Sequence, residues 1–182
     1  MQQPYEKSIT VGETSITFQT GKIAKQASGS VWIQAGGTVV LVTAQGAKEA
    51  RSGIDFLPLT VDYQEKMSAA GRIPGGFFKR EGKPRDEETL ISRIIDRSIR
   101  PLFTEGWACE TQVIATVLSA DPNYPADSLA LTGASLALEL ADLPFVGPIA
   151  GIRVCRHQGK LLVDPSYEIR EASDLNIFVS CS

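Results

Sequence analysis

Between residues 5 and 65, apolar and polar positions come in short runs broken at glycine. SITV and SITFQTG flank Gly12. SVWIQAG, TVVLVTAQ and FLPLTVDYQ follow, each rich in β-branched and aromatic side chains. Such residues suit strands, where successive side chains leave opposite faces and branched chains pack well on a pleated surface. Gly36-Gly37 predicts a hairpin turn between two of them. GAKEARSGI, residues 46–54, predicts a second loop. The expectation for this third of the chain is an antiparallel meander.

The pattern breaks at residues 68–85, SAAGRIPGGFFKREGKPR, whose four glycines and two prolines predict a long loop. Long loops in compact domains often carry function. A helix is predicted from Asp86, because Asp86, Glu87 and Glu88 put negative charge on a first turn whose free N–H groups favour it. Pro101 ends it. At about 100° per residue, Leu90, Ile91, Ile94, Ile95, Ile99 and Leu102 share one half of the helical wheel. Arg93, Arg97 and Arg100 form a narrow stripe on the other half.

Beyond it, TQVIATVLSAD predicts a buried strand. ADSLALTGASLALELADLP predicts a helix crowded with Ala, Ser and Gly, capped by Asp127 or Ser128. Then come a hairpin (GIRVCR, turn HQGK, LLVDP), a short helix in YEIREAS and a last strand, NIFVS. This order gives an α+β fold, helices packed on a mixed or antiparallel sheet. Residues 1–182 read as one domain. Because the sequence stops directly after an apolar strand, a longer parent chain is expected.

Composition narrows the function. With 43% hydrophobic and 21% charged residues, the chain is that of a soluble globular protein. No apolar run spans a bilayer and no secretory signal is evident, so the expected compartment is the cytoplasm, without membrane partners. Cys109, Cys155 and Cys181 form no close pairs, which argues against a disulfide scaffold or a thiolate zinc site. His157 is the single histidine, placed in a turn and expected to be solvated, which leaves a catalytic triad hard to assemble. Neither a P-loop nor a dinucleotide fingerprint is present. Net charge is −3, yet residues 72–100 carry eight cations against five anions. A basic zone on an acidic body focuses a polyanion onto one place.

FLPLTVDYQEKMSAAGRIPGGFFKREGKPRDEETLISRIIDRSIRPLF, QVIATVLSAD, TGASLAL and PFVGPIAGIRV together resemble the N-terminal part of the bacterial polynucleotide phosphorylase family. The resemblance runs from about residue 5 to the end. It implies a ribonuclease PH-like domain, the first of two such cores in one chain. It also implies a phosphorolytic 3′-to-5′ exoribonuclease that degrades mRNA. Inorganic phosphate, the co-substrate, releases nucleoside diphosphates, and the reverse reaction polymerises them. The family forms homotrimers whose cores ring a channel for single-stranded RNA.

In that family the loop matching Phe77, Phe78, Lys79 and Arg80 lines the constriction, where rings stack on bases and cations hold phosphates. Stacking tolerates any sequence because every base has a π-face. Lys79 stands where arginine is usual; charge is kept but the planar fork is lost. Arg93, Arg97 and Arg100 are further candidates for RNA contact, and Arg72, Lys83 and Arg85 weaker ones. The bland alternatives are an aromatic staple holding the loop to the body and an ion-paired helix face, with Asp96 pairing Arg100 at i, i+4.

The superfamily's active sites use a Ser- or Thr-rich helix start for phosphate and two aspartates that hold Mg²⁺. Here Asp127 places an anion at the helix start, leaving Ser128 as the sole hydroxyl. The aspartate positions match Arg170 and Asn176. A shifted register offers Glu168 and Asp174. The expectation is therefore no catalytic residue and no metal ligand in this chain, with Mg²⁺ bound by the second core. Residues 1–182 alone are expected to be inactive. The rival readings are a non-catalytic RNA-binding or assembly module and a stand-alone ribonuclease PH-like enzyme.

Overall fold

The computed structural model describes residues 4–77 and 79–182. Among the described residues, nine strands form two sheets. Strands β1 (Tyr5–Val11), β2 (Thr14–Thr20), β3 (Gly29–Ala35) and β4 (Thr38–Gly46) run antiparallel in succession. Gly36, at φ 52°, makes the tight turn between β3 and β4. The alternation reads directly as burial. Val31, Ile33 and Ala35 face the core, as do Val40, Val42 and Ala44 opposite them.

The meander ends there. Strand β5 (Leu59–Glu65) does not pair with β4. Strand β6 (Thr111–Ser119) lies between them, antiparallel to β4 and parallel to β5. A parallel neighbour needs a long crossover, and the loop with helix α1 (Asp86–Ile99) supplies it. The sheet is therefore mixed, in the order β1-β2-β3-β4-β6-β5. Strand β1 forms one edge of this sheet, and every residue of it is exposed.

A second sheet holds β7 (Ala150–His157), β8 (Lys160–Val163) and β9 (Leu175–Cys181), all antiparallel, in the order β8-β7-β9. His157 ends β7 and is half-buried, not set in a solvated turn. The short helix α3 (Tyr167–Glu171) precedes β9, capped by the Ser166 hydroxyl accepting from the Ile169 N–H.

Helix α2 (Ala126–Leu140) joins the two sheets, packing on β3, β4 and β6 of the large one and on β7 of the small one. A helix covered on several sides must be apolar nearly all round. Leu129, Ala130, Leu131, Ala134, Ala137 and Leu138 are all buried. Small residues set how closely it docks. A Cβ on Gly29 would meet the Ala137 carbonyl at 2.0 Å, and one on Gly133 would meet Val42 at 2.7 Å. Pro125 is the N-cap and offers no side-chain bond, but one oxygen of Asp127 accepts from the first-turn N–H of Ser128 at 3.1 Å.

Helix α1 packs on β5 and buries Ile95 and Ile99, with Ile91 against the core. Leu90, assigned to the core side, is 60% exposed. It lines an open cleft beside the sheet, since α1 covers a sheet edge rather than lying flat on a face.

Candidate functional site

The loop between β5 and α1 has a tied stem and an open tip. At the stem, Glu88 is 7% exposed. Its carboxylate accepts from the Glu65 N–H and the Arg85 N–H, each at 2.7 Å. Glu65 and Arg85 also form a direct ion pair. The Tyr63 hydroxyl donates to Glu65 at 2.7 Å. Burial, and then the Glu65 charge, push that hydroxyl well above its usual pKa, so it stays a donor. Ser92 of α1 accepts from the Tyr63 N–H. The exposed edge of β5 is thus satisfied by helix side chains instead of another strand. Further out, the Met67 N–H donates to Glu81, and the 3₁₀ turn Met67–Ala70 is held by the Ala120 N–H donating to the Ala69 carbonyl.

At the tip, Ile73 is 80% and Phe77 93% exposed. Gly76 lies at φ 75° and Lys79 at φ 50°, both in the left-handed region. Lys79 and Arg80 are exposed and form no ion pair among the described residues. Phe78 lies outside the described residues. At that exposure Phe77 is not buried against the body of the domain.

The helix arginines divide. Arg93 and Arg97 line a groove of about 340 Å³ beside β5, which reaches the loop at Pro84. Neither forms an ion pair among the described residues. Arg100 is engaged. Its guanidinium pairs with Asp96 at 2.6 Å and donates to the carbonyls of Leu57 and Leu59 at 3.1 and 3.2 Å. That is the i, i+4 pair the spacing suggested. Among the weaker candidates, Arg85 belongs to the stem, while Arg72 and Lys83 are exposed.

A cleft of about 690 Å³ opens between the loop stem and α2, lined by Glu65, Arg85, Asp127, Arg153, Arg170 and Asn176 among others. Its floor is an ion-pair cluster. Arg170 grips both oxygens of Asp127, at 3.0 and 3.1 Å, while its Nε donates to the Pro165 carbonyl. Arg153 adds an ion pair to Asp127 at 2.6 Å and donates to Asn176 at 2.7 Å. Asp127 is 3% exposed. Burial works against its ionisation, but Arg170 and Arg153 outweigh burial and hold the carboxyl below the usual range. The structure thus gathers Asp127, Arg170 and Asn176, the three positions that the sequence matched to phosphate and metal chemistry. Glu168 and Asp174 are exposed, and Asp174 pairs with Arg156. Guanidiniums where carboxylates would be needed do not fit Mg²⁺.

Two members were missed in the sequence. Arg153 left a signal: it shares one face of β7 with buried Gly151 and Cys155, so a cation points inward. Glu88 was placed on the helix's first turn for its charge, but its reach to β5 depends on tertiary placement.

Residues 14–144 match the 3′ exoribonuclease family, domain 1. The chain is 57% identical over 98% of its length to the polyribonucleotide nucleotidyltransferase of Anaeromyxobacter sp. (strain K). It is 56% identical over 98% of its length to that of Geobacter sulfurreducens. It covers 25% and 26% of those proteins, so it spans about a quarter of the length of the curated relatives it matches. The crystal structure of rice (Oryza sativa) Rrp46 superposes with a TM-score of 0.71 at 15% identity, covering 91% of this chain and 73% of that one. At that identity the likeness is one of fold.

Proposed function

We propose that this chain, which belongs to the 3′ exoribonuclease family, is the RNA-gripping core of a larger phosphate-dependent exoribonuclease and has no complete active site of its own. In the parent enzyme, inorganic phosphate attacks the 3′-terminal phosphodiester of mRNA and a nucleoside diphosphate leaves. Run backwards, the same step extends RNA. The carboxylates and Mg²⁺ for that step belong to a second core elsewhere in the polypeptide, because here the equivalent cleft is filled by its own ion pairs. Three copies close a ring in the cytoplasm, and the loop tip faces the strand that threads it.

The observation that carries this reading is the tip: an outward ring flanked by cations that no carboxylate among the described residues neutralises. Phe77 and Phe78 stack on bases at roughly 1–3 kcal/mol per base, whatever the sequence. Lys79 and Arg80 hold the adjoining phosphates, and Arg93 and Arg97 extend the same field along α1. Lysine at 79 suffices for a phosphate, which needs a charge more than a fork. Arg100 contributes by holding α1 against the start of β5.

The test is F77A/F78A in the full-length enzyme. Weaker binding of long RNA and earlier release, with intact turnover of a short oligonucleotide, is the expected result. Unchanged affinity and processivity would end the reading.

A further inference from the structure

Residues 66–84 leave the body of the protein and return to it, and one buried side chain bridges the two points of departure. Glu88 sits in the third residue of α1. One oxygen takes the N–H of Glu65, the last residue of β5, and the other takes the N–H of Arg85, which caps the helix. Both bonds are 2.7 Å, short for N–H donors and typical of a charged acceptor. The helix N-terminus favours the negative charge, and the Arg85 guanidinium lies 3.6 Å away. A carboxylate this buried is costly unless its lone pairs are used. Here they close the loop at its mouth.

We infer that Glu88 is the positioning residue of the RNA loop. It touches no RNA; it fixes where the tip can be. This rests on the reading of the tip given above. A long loop closed at its base samples fewer conformations than one hinged at two separate points. Binding a strand then orders less, and affinity rises because the ordering cost has already been met in folding. Glu81 on the Met67 N–H and Ala69 on the Ala120 N–H restrict the strand-side arm in the same way, farther out. Farther out, a Cβ on Gly75 or Gly76 would meet nothing within 4 Å. Without Glu88 the Glu65–Arg85 ion pair remains, but its two side chains lie partly in water, where such pairs contribute little.

The experiment uses the full-length enzyme and compares E88A, E88Q and F77A/F78A by KM and kcat on a long single-stranded RNA. E88Q keeps one acceptor oxygen and turns an amide N–H₂ toward the other backbone N–H, so it is the milder and better-folded variant. The expected result is a KM raised about tenfold by E88A and less by E88Q, with kcat nearly unchanged. A purely structural role gives a different signature: a smaller folded fraction lowers kcat and leaves KM alone. If F77A/F78A raises KM while both Glu88 variants leave it unchanged, the positioning role is wrong and the RNA-gripping reading stands. If F77A/F78A also leaves KM unchanged, the loop does not grip RNA and both fall. Should E88A fail to fold, the E88Q value decides alone.

Discussion

Arg153 and Arg170 lie in a cleft and both pair with Asp127, whereas Lys79, Arg80, Arg93 and Arg97 stand at the surface with no ion-pairing acid among the described residues. The residue type is nearly the same; the environment is not. In the cleft, Asp127 is within 3.1 Å of both guanidiniums and water is largely excluded. A cation so engaged is part of the fold and is poorly placed to receive a phosphate. At the loop and along α1 the cations keep their hydration and their field, which is what a polyanion meets. The comparison teaches that a positive count in a sequence window says little until each cation's partner is known.

The sharpest way to break this contrast is at Asp127. D127N removes the anion that buried Arg170 and partly buried Arg153 share and leaves them uncompensated. Breaking such a pair from one side costs about 3–5 kcal/mol. Urea unfolding should show that loss at neutral pH, and a loss under about 1 kcal/mol would mean the cluster is not the floor of the fold. The pH dependence follows from the direction of the Asp127 shift. A carboxyl held below its unfolded value, about 3.9, contributes stability above that pH and loses it as pH falls through the folded value. The stability difference between wild type and D127N is therefore full at neutral pH and shrinks on acidification below the ordinary carboxylate range. A gap that stays constant into strong acid would contradict the assignment.

A smaller effect separates the two regions by salt. In the full-length enzyme, K79A/R80A should weaken RNA binding and flatten the dependence of log affinity on log salt by about 0.7 for each phosphate left without its cation. R153A should leave that slope unchanged while lowering stability, because its guanidinium already serves Asp127 and Asn176. Equal slopes for wild type and K79A/R80A would place the loop cations outside the RNA path.

Much of the fold is legible in the residues alone, and the failures have physical causes. Helix α1 begins at Asp86 as its acidic first turn demands, and the strands of the meander begin and end at their glycines. The order of β5 and β6 is not legible, because a strand's own pattern does not name its neighbour. Leu90 has the right helical phase for the core, yet a helix that covers a sheet edge leaves that phase facing a cleft. At the candidate site, the residue types alone put an anion at the start of α2 and a cation and an amide at 170 and 176. That Asp127 is shared by Arg170 and Arg153 is not legible, because Arg153 lies on β7, 26 residues from Asp127.

The smallest effect tests the division within α1 itself. Arg93 and Arg97 border an open groove, while Arg100, further along the helix, binds Asp96 and the carbonyls of Leu57 and Leu59. The two carbonyls lie at the entry to β5, so Arg100 fastens the helix to the strand it covers. R100A should lower stability by about 1 kcal/mol, most of it from the unmade carbonyl bonds, since an exposed i, i+4 pair contributes only a few tenths. R93A breaks no ion pair among the described residues and should leave stability within about 0.5 kcal/mol of wild type. The order reverses for RNA. R93A should reduce affinity at low salt and show no such effect at high salt, where surface charges are screened. R100A should leave affinity alone once the folded fraction is matched. If R100A instead weakens RNA binding as much as R93A does, then engagement by Asp96 does not disarm a cation, and the contrast between cleft and surface fails at its mildest point.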